Sequence, residues 1–243
     1  MMDIRKKVER ILPGRAKSDW KGYEHYYGYG MMILPFSSGH LLGFRVFPQN
    51  DFAPYKSLWH CDPEGKWSIY NDGQSLRATC PRWWGPALKH QSLRGFRLEW
   101  VDKNNIRIEM SNPVMVWQIE LGAKPLLNVM NTLNAAMPNW KWTYPFQKKV
   151  QQYMAKEKLG MGEISFEFET PSGMHACILP KEIYGVRHSS AVFDGKDLGK
   201  PAKLEDTPMI GKVALPRRPA FMIGRAYAKI DDLESYQAAK ASV

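Results

Sequence analysis

The chain has 243 residues, 44% of them hydrophobic and 24% charged, with a formal net charge of +10. That is ordinary for a soluble globular protein, and long enough for one large β or mixed domain, or two small ones, with a substantial core. No apolar run approaches the roughly 18 residues of a membrane span, and Met1–Gly14 lacks the apolar core of a signal peptide, so a soluble, cytoplasmic protein is expected.

The basic residues are scattered: Arg5-Lys6-Lys7 is the densest group and no run of four occurs. Nucleic acid is therefore not an expected partner, whereas an acidic or carboxylate-bearing small ligand would suit the charge. Cys61, Cys80 and Cys177 show no C-x-x-C spacing, which argues against a zinc site or a disulfide framework. Aromatics make up 12% of the chain, with nine Trp. Such rings either fill the core of a β protein or line a cavity.

In chain order, Ile4, Val8, Ile11 and Leu12 recur at helical spacing and Pro13-Gly14 ends the pattern, predicting a short helix over 3–12. Trp20–Gly30 is aromatic and punctuated by Gly, and reads as a loop or edge strand. Met31–Phe36 and Leu41–Phe47 predict a hairpin turning at Ser37-Ser38-Gly39.

Three stretches predict hairpins with three-residue loops: Tyr55–Asp72, Phe96–Met110 and Ile164–Leu179. Two of them turn through Pro-X-Gly corners, Pro63-Glu64-Gly65 and Pro171-Ser172-Gly173, where Pro presets φ and Gly supplies the left-handed residue. In the second hairpin Asn104 is expected to take that position. Each loop fixes a register. The first places Cys61 opposite Trp67, Trp59 opposite Ile69 and Ser57 opposite Asn71 on one face. The other face holds His60 with Ser68, Leu58 with Tyr70 and Lys56 with Asp72. The second sets Leu98 against Ile108 and Trp100 against Ile106, with Glu99–Arg107 and Arg97–Glu109 as ion pairs on a solvated face. The third pairs Phe168 with Ala176 and Phe166 with Ile178, and Glu169 with His175 on the other face.

Between the β segments, Pro125 opens a helix with an apolar stripe of Leu126, Leu127, Met130, Leu133 and Met137. A second starts at Pro145, carries Phe146, Val150, Tyr153 and Met154, and ends at Gly160. The two form a helical insertion over 124–160 whose Met-rich stripes either pack or line a ligand mouth. Strands then follow at Tyr184–Phe193, turning at Asp194-Gly195, at Met209–Leu215 and at Ala220–Ala228, with a terminal helix after Asp231.

No G-x-S-x-G, P-loop, H-E-x-x-H or dinucleotide fingerprint occurs, so chemistry without a cofactor, or binding alone, is expected. The leading constellation is the mixed face of the first hairpin. There His60 and Tyr70 form an acid–base pair able to shuttle a proton near neutral pH. Arg82, between Pro81 and Trp83-Trp84, is the candidate anchor for a carboxylate or carbonyl over an aromatic wall that includes Trp59. A second cluster is Glu169 with His175, and His188 beside Tyr184 and Ser190 on the next strand. Either reading competes with a structural one, a satisfied sheet histidine or a surface pair. Cys61 is more simply an inert thiol between Trp59 and Trp67 than a nucleophile.

The segment Ser57-Leu58-Trp59-His60-Cys61-Asp62-Pro63-Glu64-Gly65-Lys66-Trp67 has a strand, D-x-x-G-x-W, strand cadence. Ser190–Gly199 runs a strand into the turn Gly195-Lys196-Asp197-Leu198-Gly199. Together they resemble lipocalin-like (calycin) proteins of the carotenoid hydratase kind, over about a quarter of the chain. The resemblance implies an antiparallel barrel enclosing an apolar ligand and, in some members, water addition to or removal from an isoprenoid or polyketide-like substrate. The helical insertion departs from it. The expected architecture is one mainly β domain over 1–243, a lipocalin-like barrel or two half-barrels. The expected function is a cofactor-independent lyase, hydratase or isomerase acting on a hydrophobic small molecule. A non-catalytic carrier of the same kind of ligand is the alternative, and either leaves room for a homo-oligomer.

Overall fold

The computed structural model describes residues 3–123 and 125–243; Met1, Met2 and Lys124, with which the expected insertion begins, lie outside the described residues. Ten strands follow one path: β1 (Tyr23–Pro35), β2 (Leu41–Asn50), β3 (Tyr55–Cys61), β4 (Trp67–Asp72), β5 (His90–Leu93), β6 (Arg97–Trp100), β7 (Asn105–Ser111), β8 (Val114–Gly122), β9 (His175–Phe193) and β10 (Phe221–Lys229). Their spatial order is β5-β4-β3-β2-β1-β10-β9-β8-β7-β6, and three shorter strands pair at the sides. Neighbours on the path are antiparallel except β4 and β5. Two meanders thus meet at the β1–β10 seam.

The result is a large, mainly antiparallel sheet curled into a half-barrel. Side chains from both wings share its concave core, including Phe44 and Leu58 from one and Ile108 and Trp117 from the other. The rings of Phe44 and Trp117 meet edge to face at 5.8 Å. Helix α1 (Ile4–Val8) adds Ile4 and Val8 to the same core. A second core lies on the convex side of β1–β4. It is covered by α2 (Pro81–Trp84), the small hairpin Met209–Ile210/Val213–Ala214, and α5 (Leu233–Ala241).

The registers predicted from the turns hold in all three hairpins: Trp59 faces Ile69, Leu98 faces Ile108 and Phe168 faces Ala176. Other expectations are corrected. Met209–Leu215 is not one strand but two short ones, Met209–Ile210 and Val213–Ala214, paired with each other. Glu99 and Arg107 are opposite in register but ion-pair along their own strands, with Arg97 and Glu109. Trp20–Gly30 is not a loop or edge strand, because Tyr23 onward belongs to β1 at the centre of the sheet. Its glycines serve close approach: a Cβ on Gly28 would lie 2.0 Å from the Val46 carbonyl oxygen. Asn104 is not left-handed, since Asp194 (φ 52°) is the one such non-Gly residue among those described. Asp102 Oδ1 instead accepts from the Asn104 and Asn105 amides. Tyr184–Phe193 is no separate strand but the second half of the 19-residue β9. Finally, α3 (Pro125–Ala136) turns its predicted stripe partly outward, with Leu126 and Leu133 exposed and Asn131 and Asn134 buried.

That last inversion has a clear cause. Asn131 donates its Nδ2–H to the Ile183 carbonyl at 2.9 Å and accepts from the Ile183 amide at 2.8 Å. It thereby replaces a missing strand partner for β9, next to the bulge between Pro180 and Glu182. Gln151, on α4 (Pro145–Tyr153), donates to Asn134 Oδ1 at 3.1 Å, so the two helices meet through amides. Satisfying buried backbone groups outweighs the apolar periodicity here.

Candidate functional site

An apolar cavity of about 70 Å³ lies between the convex face of the sheet and the segment that covers it. The sheet contributes Tyr26, Arg45, Tyr55 and Trp59; the cover contributes Cys80, Trp83 and Trp84. Alternation along β3 explains the split, since Ser57, Trp59 and Cys61 point to this side while Leu58 and His60 point to the concave side. The cover is built by a turn over Leu76–Ala78, capped by Ser75 Oγ accepting from the Arg77 amide at 3.2 Å, and by Pro81 opening α2.

A buried ion pair pins the cover down. Glu24 accepts from Arg82 Nε at 2.8 Å, from Trp83 Nε1 at 2.6 Å and from the Tyr26 hydroxyl at 3.2 Å. Burial pushes the Glu24 carboxyl up from its ordinary value, and Arg82 and the Trp83 and Tyr26 donors oppose that shift. Arg82 also donates to Ser235 Oγ at 3.0 Å, tying in α5.

Among the described residues Arg45 is the sole charged one lining the cavity. Its guanidinium donates to the carbonyls of Met31, Met32 (2.9 Å) and Phe44 (3.1 Å) and lies 4.7 Å from the centroid of the Trp59 ring. No carboxylate pairs with it among the described residues. Burial lowers its pKa to about 10, which still leaves it cationic at neutral pH. Beside it runs a chain of weak donors: Trp59 Nε1 to Ser57 Oγ at 3.0 Å, Ser57 Oγ with Cys80 Sγ at 3.2 Å, and Tyr55 Oη with Cys80 Sγ at 3.5 Å. Burial raises the pKa of Cys80, so it stays a thiol.

No known protein family, curated protein or solved structure matches this chain. The site therefore has to be read from its own geometry. Among the described residues no group of three His, Cys, Asp or Glu is placed to hold a metal. Nor is any helix among them long and apolar enough to cross a membrane.

Of the residues singled out in the sequence, Trp59, Trp83 and Trp84 come together in the cavity wall. Arg82 lies behind that wall with its guanidinium committed to Glu24. His60 and Tyr70 occupy the concave face and do not line the cavity. His60 Nε2 lies 2.8 Å from His40 Nδ1, and its ring stacks on Phe193 at 4.0 Å. Burial, then His40, brings its pKa down to about 4. Tyr70 meets the His90 ring at 5.7 Å. His188 is exposed on β9 opposite Glu120, and Glu169 and His175 are exposed neighbours across their hairpin. Cys61 is buried, its thiol pushed up to about 12 by burial.

Arg45, Tyr55, Cys80 and Glu24 were not anticipated. A usable signal existed for two of them. Arg45 is the one charge inside the apolar run Leu41–Phe47, and Glu24 the one carboxylate in the aromatic run Tyr23–Gly30. A charge inside a buried strand needs a partner, and looking for it would have led to this face.

Proposed function

We propose that the chain is a non-catalytic carrier of a slender apolar molecule with a carboxylate at one end. The observation that carries this reading is Arg45, a cation without a carboxylate partner in an otherwise uncharged, aromatic wall. A buried guanidinium is costly to desolvate and recovers that cost when a carboxylate docks on it. The net charge of +10 favours an anionic ligand in the same sense. A volume of about 70 Å³ is too small for a fused-ring or carotenoid-sized molecule and would enclose only the carbons next to the head group, the rest of the chain leading out of the cavity.

The lyase reading would require an acid–base group at the ligand. His60 and Tyr70 lie on the other face of the sheet, and the cavity wall offers a thiol and phenols whose pKa values burial raises. The lipocalin-like expectation puts the ligand inside a barrel. Here the concave side is filled by side chains such as Phe44 and Trp117, so the reading keeps that ligand class and moves it to the convex side.

The test is displacement of cis-parinaric acid, a fluorescent long-chain acid, by palmitate and by its methyl ester. Palmitate should compete and the ester should not. Arg45→Met should weaken binding by about 30-fold or more, the scale for losing one partner of a buried charge pair. His60→Ala should leave affinity unchanged. Equal competition by acid and ester, or turnover that vanishes in His60→Ala, would overturn the proposal.

A further inference from the structure

Seven of the fourteen large apolar side chains that stand exposed among the described residues fall between Pro125 and Gly160. On α3 they are Leu126, Val129 and Leu133, one outward row at i, i+3 and i+7. On the turn Asn139–Thr143 and on α4 the outward side chains are aromatic: Trp140 meets Tyr144 edge to face at 5.5 Å, and Phe146 is 78% exposed. The amides of Asn131, Asn134 and Gln151 hold the polar sides of both helices inward, so this apolar face is fixed by buried hydrogen bonds. Exposed apolar surface concentrated in this way marks an interaction site.

The charge on this unit selects the partner. Within this unit Lys141, Lys148, Lys149, Lys156 and Lys158 face one carboxylate, Glu157. Lys148 and Lys156 pair with Glu167 and Glu163 on the following segment, which leaves Lys141, Lys149 and Lys158 as its outward cations. The Lys141 ammonium lies over the Trp140 ring, 5.5 Å from its centroid, and that of Lys158 over the Tyr153 ring at 5.9 Å, so cations and exposed rings share this surface. Beside the start of α3 a groove of about 590 Å³ is lined by Leu126, Leu127, Lys158, Arg187 and Arg218, with no carboxylate among the described residues of its wall; Arg187 reaches Glu120 outside it at 3.6 Å. A second copy on this face would set lysines against lysines. A nucleic acid would find no use for the aliphatic row. Aliphatic side chains, interfacial Trp and Tyr, and flanking Lys together match the boundary of a lipid bilayer with anionic headgroups.

We propose that the outward face of α3, the Asn139–Thr143 turn and α4 docks on the surface of an anionic phospholipid bilayer, with the groove cations taking headgroup phosphates. The docking is peripheral and does not depend on what the cavity holds.

The experiment is cosedimentation of the full chain with vesicles of phosphatidylcholine alone, and of phosphatidylcholine with phosphatidylglycerol, at low and raised salt. Binding is expected only to the anionic vesicles and should weaken as salt rises. The exposed substitutions Lys149→Glu and Lys158→Glu together should cut it by about tenfold or more. Val129→Ser with Phe146→Ser should cut it similarly while leaving fatty-acid displacement in the cavity unchanged. Absence of binding to anionic vesicles at low salt overturns the proposal. So does binding that neither pair of substitutions alters, or concentration-dependent dimerisation that Val129→Ser with Phe146→Ser abolishes.

Discussion

Arg82 donates its Nε–H to Glu24 across 2.8 Å, with the Arg82 side chain 7% exposed and the Glu24 side chain fully enclosed. This contact joins the aromatic cover to the central strand, so it governs whether the cavity has a wall at all. Arg82→Met leaves a carboxylate buried beside Trp83 and should cost about 3–5 kcal/mol at neutral pH, the range for breaking a buried pair. With its cation gone, Glu24 titrates above its unfolded value, and stability recovers as pH falls and the carboxyl takes a proton. Urea unfolding of the variant at pH 7 and pH 5 reads this directly. A variant as stable as the parent at pH 7 would remove the ion pair from the account.

Two histidines push stability the other way. His60 and His25 are both brought down to about 4, mainly by burial, from an ordinary value of 6.5. Next to burial, His40 acts on the first and Arg225 on the second. A depressed histidine stabilises fully above pH 6.5, and that contribution is lost as pH falls toward 4. The scale is on the order of 3 kcal/mol each. The double variant His25→Gln/His60→Gln should show a visibly flatter fall in the urea midpoint between pH 6.5 and 4.5. An unchanged slope would mean that both rings titrate normally in the fold.

Gly28 has no room for a side chain, with a Cβ falling 2.0 Å from the Val46 carbonyl oxygen and 2.9 Å from its carbon. Those atoms are backbone of β2 and can yield only by opening the ladder. Gly28→Ala should therefore lower stability by about 2–3 kcal/mol or more, seen as a lower thermal midpoint. Gly85→Ala, whose nearest neighbour is the Gln91 side chain at 3.7 Å, is the matched control and should be nearly silent.

All three thiols are buried and free. Burial pushes Cys61 and Cys177 up to about 12 and raises Cys80 as well. Ellman titration of the native protein at pH 8 should find no fast-reacting cysteine, and three after denaturation. One fast thiol in the native state would mean that the cover over Cys80 opens.

Asn131 closes both hydrogen bonds of Ile183 that the strand leaves open. Asn131→Ala orphans a buried amide and a buried carbonyl together, and a loss of about 2–4 kcal/mol in urea unfolding is expected.

The β grammar was legible wherever a turn fixed register. Pro63-Glu64-Gly65 determined that Trp59 sits opposite Ile69 and His60 opposite Ser68, and both pairings are present. Turns are local, so their chemistry can be read from a few residues. What escaped were relationships closed over long separations. Glu24 and Arg82 are 58 positions apart and Asn131 and Ile183 are 52 apart, and nothing near either residue announces its partner. Tyr23–Gly30 looked like loop because its glycines were weighed as breakers. In fact Gly28 and Gly30 let β1 approach β2 at the middle of the sheet. The cavity followed the same pattern: Trp59, Trp83 and Trp84 were visible as aromatic wall, but the charge within it was hidden in an apolar strand.

Strand β9 runs unbroken for 19 residues, paired with β10 along its first half and with β8 along its second. It joins the part of the sheet that ends in β10 to the part that begins at β8, so the two share one continuous ribbon. Neither part can melt without fraying the ribbon the other is hydrogen-bonded to. Heat or denaturant should take the two parts down together, in one cooperative transition.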